Sequence, residues 1–194
     1  MPTQDNEPHT VTMNCKDGKV EQEMDMGMQG LVKTYCVHAD HQKKYYLVME
    51  SMKMGMTTED SDQASNPTAD TVLAETGKQD TIAGHVSNEY TVKIPDGSLS
   101  LWATPDFSED VVKSISNAML EQPHQDEASQ EAFEQLAKKG LTPVKVIATV
   151  DGQVAQSLVF VKYETKKLDD ALFVPPTDIK YRPMPTGMGG GGTN

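Results

Sequence analysis

Hydrophobic and polar residues alternate along the first third of the chain, which is the pattern of β-strands. In Val20–Met28 the apolar residues share one parity and the acidic residues the other, which predicts a strand with one face in water. Leu31–His38 and Lys44–Glu50 predict two more strands. The apolar parity reverses after Met49, so we expect a bulge or tight bend near Glu50–Ser51.

Two Asp-Gly turns predict β-hairpins. Pro95-Asp96-Gly97 combines proline's fixed φ with glycine's freedom, and Asp151-Gly152 is typical of a two-residue type I′ turn. We therefore expect antiparallel pairing across both turns. The strands that they join are Tyr90–Ile94 with Ser98–Trp102, and Val144–Val150 with Val154–Tyr163.

Between the hairpins the pattern changes to that of helices. Ser108 is a predicted N-cap, and an apolar stripe with helical spacing continues from it until Pro123. The stripe comprises Phe107, Val111, Val112, Ile115, Met119 and Leu120. A second helix is predicted from about Asp126 to Lys139, with Phe133 and Leu136 facing inward and Gly140 as its C-cap. This order predicts an α+β fold, with helices packed on one face of an antiparallel sheet.

Three segments are too polar to join a core. We expect residues 1–17 to be a disordered N-terminal segment, Thr57–Asp70 a loop, and residues 182–194 a flexible Gly-rich tail. A single α+β domain would then span residues 18–181.

Composition limits the range of partners. The net charge of −12 repels phosphate backbones and anionic bilayers, so we expect no binding to nucleic acid or to a membrane surface. No apolar run reaches about 18 residues, the minimum for a transmembrane helix. The N-terminus lacks the basic and apolar regions of a signal peptide. Taken literally, this indicates a cytoplasmic protein, although removal of a signal would leave the same start.

The two cysteines, Cys15 and Cys36, leave two alternatives open. They form a single bridge in an oxidising compartment, or they are two ordinary reduced thiols.

Motifs for catalysis are missing from the sequence. It contains no G-x-S-x-G, H-E-x-x-H, P-loop or C-x-x-C, and its five histidines have no carboxylate or cysteine at nucleophile-and-base spacing. We therefore expect a protein that is not an enzyme and needs no cofactor.

The twelve methionines are the unusual feature of the sequence. Six of them stand in two M-x-M-x-M runs, which are Met24, Met26, Met28 and Met52, Met54, Met56. Period two in a strand puts the three side chains of each run on one face. They fill an apolar core or line an adaptable cavity. Alternatively, soft thioethers bind Cu(I), with a predicted ligand set of Met24, Met26, Met52, Met54, Cys36 and His38, and with His41 nearby.

The segment from Thr76 to Pro105 contains a T-G-x-x-x-T-I-x-G stretch, then Y-x-V, then a strand with a tryptophan. Together with Asp169–Pro176 and Tyr181, it resembles a bacterial family known only as a domain of unknown function. The resemblance covers about Val20 to Tyr181. Members of that family usually carry a signal peptide and one or two strands before the segment that matches Val20, which implies a periplasmic or secreted protein.

This family is similar in fold to the LolA/LolB-like lipoprotein carriers. The resemblance implies a curved antiparallel sheet, an incomplete barrel, with the helical insertion on its concave face and an apolar cavity between them. We therefore expect a cavity for an apolar or lipid-like ligand. Its predicted lining is Met24, Met26, Met28, Met52, Met54, Met56, Val112, Ile115 and Met119.

Overall fold

The structure, a computed structural model, describes residues 10–17, 19–25, 30–39, 42–61, 71–94, 97–120 and 126–184. These residues form eleven β-strands and two α-helices, so the coarse α+β prediction is confirmed. The chain divides into two compact units. Unit 1 comprises residues 1–62 and 167–194, and unit 2 comprises residues 63–166.

The elements follow one another in this order. They are β1 (Val11–Lys16), β2 (Lys19–Asp25), β3 (Leu31–Ala39), β4 (Gln42–Met49), β5 (Met54–Ser61), β6 (Ala74–Ile82), β7 (His85–Ile94), β8 (Gly97–Thr104), α1 (Glu109–Leu120), α2 (Glu127–Lys138), β9 (Thr142–Val150), β10 (Gln153–Val159) and β11 (Lys180–Pro183).

The described strands form two open sheets rather than the one continuous sheet that we predicted. Unit 1 has a six-stranded sheet in the order β1-β2-β3-β4-β5-β11, and unit 2 has a five-stranded sheet in the order β10-β9-β8-β7-β6. Neighbouring strands are antiparallel, except that β11 runs parallel to β5.

The predicted bend after β4 is confirmed. Glu50–Met52 form one turn of 3-10 helix, and Lys53 adopts a left-handed conformation with φ of +48° before β5 begins. The predicted loop from Thr57 is wrong in its first part, because β5 continues to Ser61. Its threonines are β-branched and favour strands, and the hydroxyl of Thr57 donates to the carbonyl oxygen of Tyr45 at 2.9 Å. Residues 62–70 lie outside the described part.

Both ends of the described chain are more ordered than we predicted. Val11–Lys16 form β1 instead of belonging to a disordered segment, and β11 extends two residues past the predicted end of the domain. Each is an edge strand whose polar sequence gives a weak local signal, and each gains its hydrogen bonds from one neighbouring strand. Residues 1–9 and 185–194 lie outside the described part.

Both predicted hairpins are confirmed. β7 pairs with β8 in antiparallel register, although Pro95 and Asp96 in their turn lie outside the described residues. β9 pairs with β10 across Asp151 and Gly152, whose φ angles of +51° and +75° fit a type I′ turn. β10 ends at Val159, four residues before the predicted end, although the amide of Phe160 still donates to the carbonyl oxygen of Val144 at 2.7 Å.

Both predicted helices form and contribute to the core of unit 2. Asp126 caps α2 by accepting from the amide of Ser129 at 2.9 Å, and Gly140 follows the helix with φ of +69°. Phe133 and Leu136 are buried against apolar side chains of β7 and β8, which include Tyr90, Val92, Leu99 and Leu101. On α1, Val112 is buried in a second cluster with Ile82, Phe107 and Val144.

We expect Gly152→Val to lower the free energy of unfolding by more than about 1 kcal/mol, because a β-branched residue disfavours positive φ. A Cβ at this position meets no atom within 4 Å, so backbone strain alone is measured. Urea denaturation gives the free energy. Gln153→Val, at the next exposed position, is the control and should change stability little. Equal stability of the two variants would contradict the type I′ turn.

Candidate functional site

The register of the six-stranded sheet gathers apolar side chains on one face. Residues directly opposite each other on neighbouring strands point to the same side of a sheet. One row across β1 to β5 is Val11, Met24, Val32, Met49 and Met54, and the next row is Met13, Gln22, Thr34, Leu47 and Met56. We call the eight apolar members of these rows the methionine face. They are Val11, Met13, Met24, Val32, Leu47, Met49, Met54 and Met56.

The methionine face contains no charged residue on β1 to β5 and is neither fully buried nor fully open. Seven of its members are half-buried, and Met54 is 43% exposed. The third row of this side is also uncharged, and its Val20, Cys36 and Tyr45 are buried. Such a surface can hold an apolar ligand, because methionine side chains adapt to irregular shapes.

Beside these three rows, the charged residues Glu21, Glu23 and Lys33 lie on the opposite side of the sheet. There the ammonium group of Lys33 contacts the carboxylates of Glu50 at 3.0 Å and Glu23 at 3.6 Å. The ring of Tyr181 covers Gly55, where a Cβ would come within 2.6 Å of it, and contacts the ring of Tyr46 edge-on at 5.1 Å. This side therefore carries its own polar and aromatic contacts.

The C-terminal segment of unit 1 also contacts this charged side. The 3-10 turn Asp170–Phe173 contacts β2, and the ammonium group of Lys16 donates to the carbonyl oxygen of Leu168 at 3.0 Å. Lys16 and Lys19 both pair with the carboxylate of Asp170, at 3.0 and 3.5 Å. Because the side chain of Asp170 is exposed, these ion pairs contribute little to the free energy of unfolding. They are consistent with the contact between the C-terminal segment and β2.

Glu21 breaks the predicted rule that the acids of β2 face water, because it is fully buried. One carboxylate oxygen accepts from the side-chain amide of Asn14 at 2.7 Å, and the other has no partner among the described residues. Burial raises the pKa of Glu21 above its ordinary value of 4.5, and the bond from Asn14 and the charge of Lys33 oppose this only in part. The folded state therefore favours the protonated form of Glu21 more than the unfolded chain does.

We expect Glu21→Gln to raise the free energy of unfolding at pH 7. A carboxyl whose pKa is raised on folding contributes stability below its unfolded pKa and loses it as pH rises through the folded pKa. The substitution should therefore stabilise the protein more at pH 7 than at pH 4, as measured by denaturation at both values. Glu23→Gln removes a carboxylate that pairs with Lys33 and should not stabilise. A loss of stability in Glu21→Gln at pH 7 would show that the charge is satisfied.

Among the predicted cavity residues, Met24, Met54 and Met56 lie on the methionine face. Met52 stands in the 3-10 turn instead, where 51% of it is exposed. Met26 and Met28 lie outside the described residues. Met13 and Met49 lie on the methionine face but were not among the predicted lining residues, although each continues the period-two pattern of its strand.

The other predicted lining residues belong to α1 in unit 2. Val112 is buried in its cluster with Phe107, Ile115 is half-buried, and Met119 packs against the core cluster that contains Phe133. The predicted lining is thus divided between the two compact units.

The predicted copper ligands do not form one group within the described residues. Met24 on β2 and Met54 on β5 are three strand spacings apart, about 14 Å. Cys36 is buried in another row, and the side chain of His38 as well as all of His41 lie outside the described part. The register instead places Met49 directly opposite Met54, with Met56 beside them. The described residues contain no cluster of three or more His, Cys, Asp or Glu side chains suited to a metal ion.

Both cysteines are free thiols, which is the second of the two predicted alternatives. Cys15 and Cys36 stand on either side of Val20 in one row, two strand spacings or about 9.5 Å apart. A disulfide requires its Cα atoms to lie within about 7 Å, and neither cysteine forms one. Burial raises the pKa of the Cys15 thiol to about 11, so it is protonated and unreactive at neutral pH.

In unit 2 the carboxylate of Glu89 has three polar partners. Its carboxylate accepts from the hydroxyls of Ser100 at 2.7 Å and Thr76 at 2.8 Å, and pairs with Lys78 at 3.0 Å. Burial would raise the pKa of Glu89, but these hydrogen bonds outweigh it and lower the pKa. The contacts join the irregular segment of β6 between Glu75 and Gln79 to β7 and β8, which indicates a structural role.

His85 and Asp106 form a second polar contact, at 3.1 Å, beside an aromatic cluster. The imidazole lies 4.6 Å from the ring of Phe107, and Phe107 contacts the rings of Phe160 and Tyr163 edge-on. This contact joins the start of β7 to the residues that precede α1, where Phe107 is buried. It therefore supports the helix rather than marking a separate site.

No described helix is long and apolar enough to cross a membrane. No curated protein matches the chain. A family model matches residues 1–179, which is nearly the whole sequence. The chain therefore belongs to the family described as domain of unknown function DUF4412.

Proposed function

We propose that this protein is a non-enzymatic binding protein that holds an apolar or lipid-like ligand against the methionine face. The separation of residues on the six-stranded sheet carries this proposal. Eight apolar side chains share one side, whereas Glu21, Glu23 and Lys33 share the other. Water still reaches part of this uncharged side, because Met54 is 43% exposed.

The free energy that an apolar ligand gains from contact with one surface limits the affinity that the methionine face alone can provide. A buried methylene contributes about 0.8 kcal/mol, so about twelve methylenes with only one side covered gain about 5 kcal/mol. That corresponds to a dissociation constant near the millimolar range, before any cost of ordering the chain. Micromolar binding therefore requires a second apolar surface over the ligand.

We include in the proposal the resemblance to the LolA/LolB-like carriers, whose fold encloses an apolar cavity. We also propose a periplasmic or secreted location, as in the exported proteins that the sequence resembles. The net charge of −12 supports a ligand other than nucleic acid.

We expect Met54→Glu and Met56→Glu each to weaken binding of the neutral dye N-phenylnaphthylamine at least tenfold. A carboxylate on the methionine face must lose water when an apolar ligand covers it. Dye fluorescence gives the affinity, and the urea midpoint shows whether the fold persists. Thr12→Glu places the same charge on the opposite side of β1 and should leave binding unchanged. Unchanged binding in both methionine variants would exclude this face as the site.

A second candidate function is Cu(I) binding, which the direct pairing of Met49 with Met54 favours. The proposed ligands are the thioethers of Met49, Met54 and Met56, since thioethers are soft ligands. Leucine has a similar volume and no sulfur, so Met→Leu at the three positions should abolish Cu(I) binding and preserve dye binding. Competition with a Cu(I) chelator measures the affinity. A wild-type protein that takes no Cu(I) from the chelator would exclude this function.

A further inference from the structure

The edge strand β11 adds two cations to the otherwise uncharged rows of the methionine face. Lys180 stands opposite Met54, and Arg182 stands opposite Met56, in parallel register. Each row of the face therefore ends in a basic residue at the same edge of the sheet. Both side chains are exposed.

Tyr181 fixes this register. Its ring lies over Gly55 on the charged side of the sheet, and its hydroxyl donates to the carbonyl oxygen of Pro176 at 2.9 Å. Because side chains alternate along a strand, the residues on both sides of Tyr181 point to the methionine face. A shift of β11 by one residue would place a side chain other than Tyr181 over Gly55.

The two cations have no acidic counterpart within the part of the chain that the structure describes. No ion pair there includes Lys180 or Arg182, although the protein has 29 acidic and 17 basic residues. Among the other exposed lysines, Lys78, Lys113 and Lys138 pair with carboxylates, whereas Lys93, Lys166 and Lys167 are not in an ion pair with any described residue. Positive charge is thus left available beside the apolar surface of an acidic protein.

We propose that the ligand is a monomeric single-chain amphiphile with an anionic head group, bound with its head at Lys180 and Arg182. This inference rests on the proposed apolar-ligand function and specifies the chemical class of the ligand. The five strand spacings from β11 to β1 give a width of about 24 Å for a long acyl chain that lies across the strands. The planar guanidinium of Arg182 can hold a carboxylate or phosphate through two hydrogen bonds, and Lys180 adds a point charge.

The test compares three amphiphiles with fourteen-carbon chains and different heads. They are tetradecanoate, tetradecyl maltoside and tetradecyltrimethylammonium, titrated calorimetrically into the full chain below their micelle concentrations. The anionic probe should bind at least tenfold more tightly than the other two, and added salt should reduce this preference.

The variant Lys180→Gln with Arg182→Gln should lower the affinity for tetradecanoate to that of the maltoside and leave the maltoside affinity unchanged. Lys166→Gln with Lys167→Gln removes two exposed cations elsewhere and is the matched control. The control should retain the preference for the anionic head.

The possible results separate this inference from the function on which it rests. Equal binding of all three heads, with no effect of the double variant, would overturn the anionic head group and leave the apolar site intact. Binding to anionic phosphatidylglycerol vesicles without binding of monomeric tetradecanoate would also overturn it. No binding of any probe, together with no binding of the neutral dye, would overturn both proposals.

Discussion

The pairing register of the six-stranded sheet is the constraint on which the rest of unit 1 depends. Because side chains alternate with a period of two, a slip of one residue would exchange the methionines for the charged side chains. The bend at Glu50–Lys53 sets the register of β4 with β5, and Tyr181 over Gly55 sets that of β11. The turn at Asp17, whose φ is +50°, joins β1 to β2. Turn geometry and one aromatic contact thus decide which chemistry each side presents.

Much of the fold was predictable where a short segment carries its own signal. The type I′ turn at Asp151-Gly152 and the capped helix after Asp126 depend on residues adjacent in sequence, and both formed as expected. Strands β1, β6 and β11 were missed for the opposite reason. They are edge strands with polar or exposed residues, so their order comes from a neighbour that is distant in sequence, as with β11 beside β5. Single-segment patterns do not contain that information.

The same limit applies to the candidate site. Sequence spacing correctly indicated that Met54 and Met56 share a face, but it wrongly included Met52, which stands in the 3-10 turn. It also did not show which strands are neighbours. Met24 and Met54 were grouped because their runs look alike, yet three strand spacings separate them. Met49 was left out because the bend hides that it stands opposite Met54. The buried position of Glu21 was also unpredictable, since its alternation with Val20 is that of a strand face in water.

The two sides of the sheet violate ordinary burial rules in complementary ways. One side encloses the carboxylate of Glu21, whose second oxygen has no partner among the described residues, and the other leaves Met54 partly in water. Both arrangements cost stability, because a buried charge loses hydration and an exposed thioether forgoes apolar contact. A sequence selected only for stability would remove them, and residues that break such rules tend to mark functional sites. The methionine face, bordered by Lys180 and Arg182, would recover these missing contacts under the proposed amphiphile.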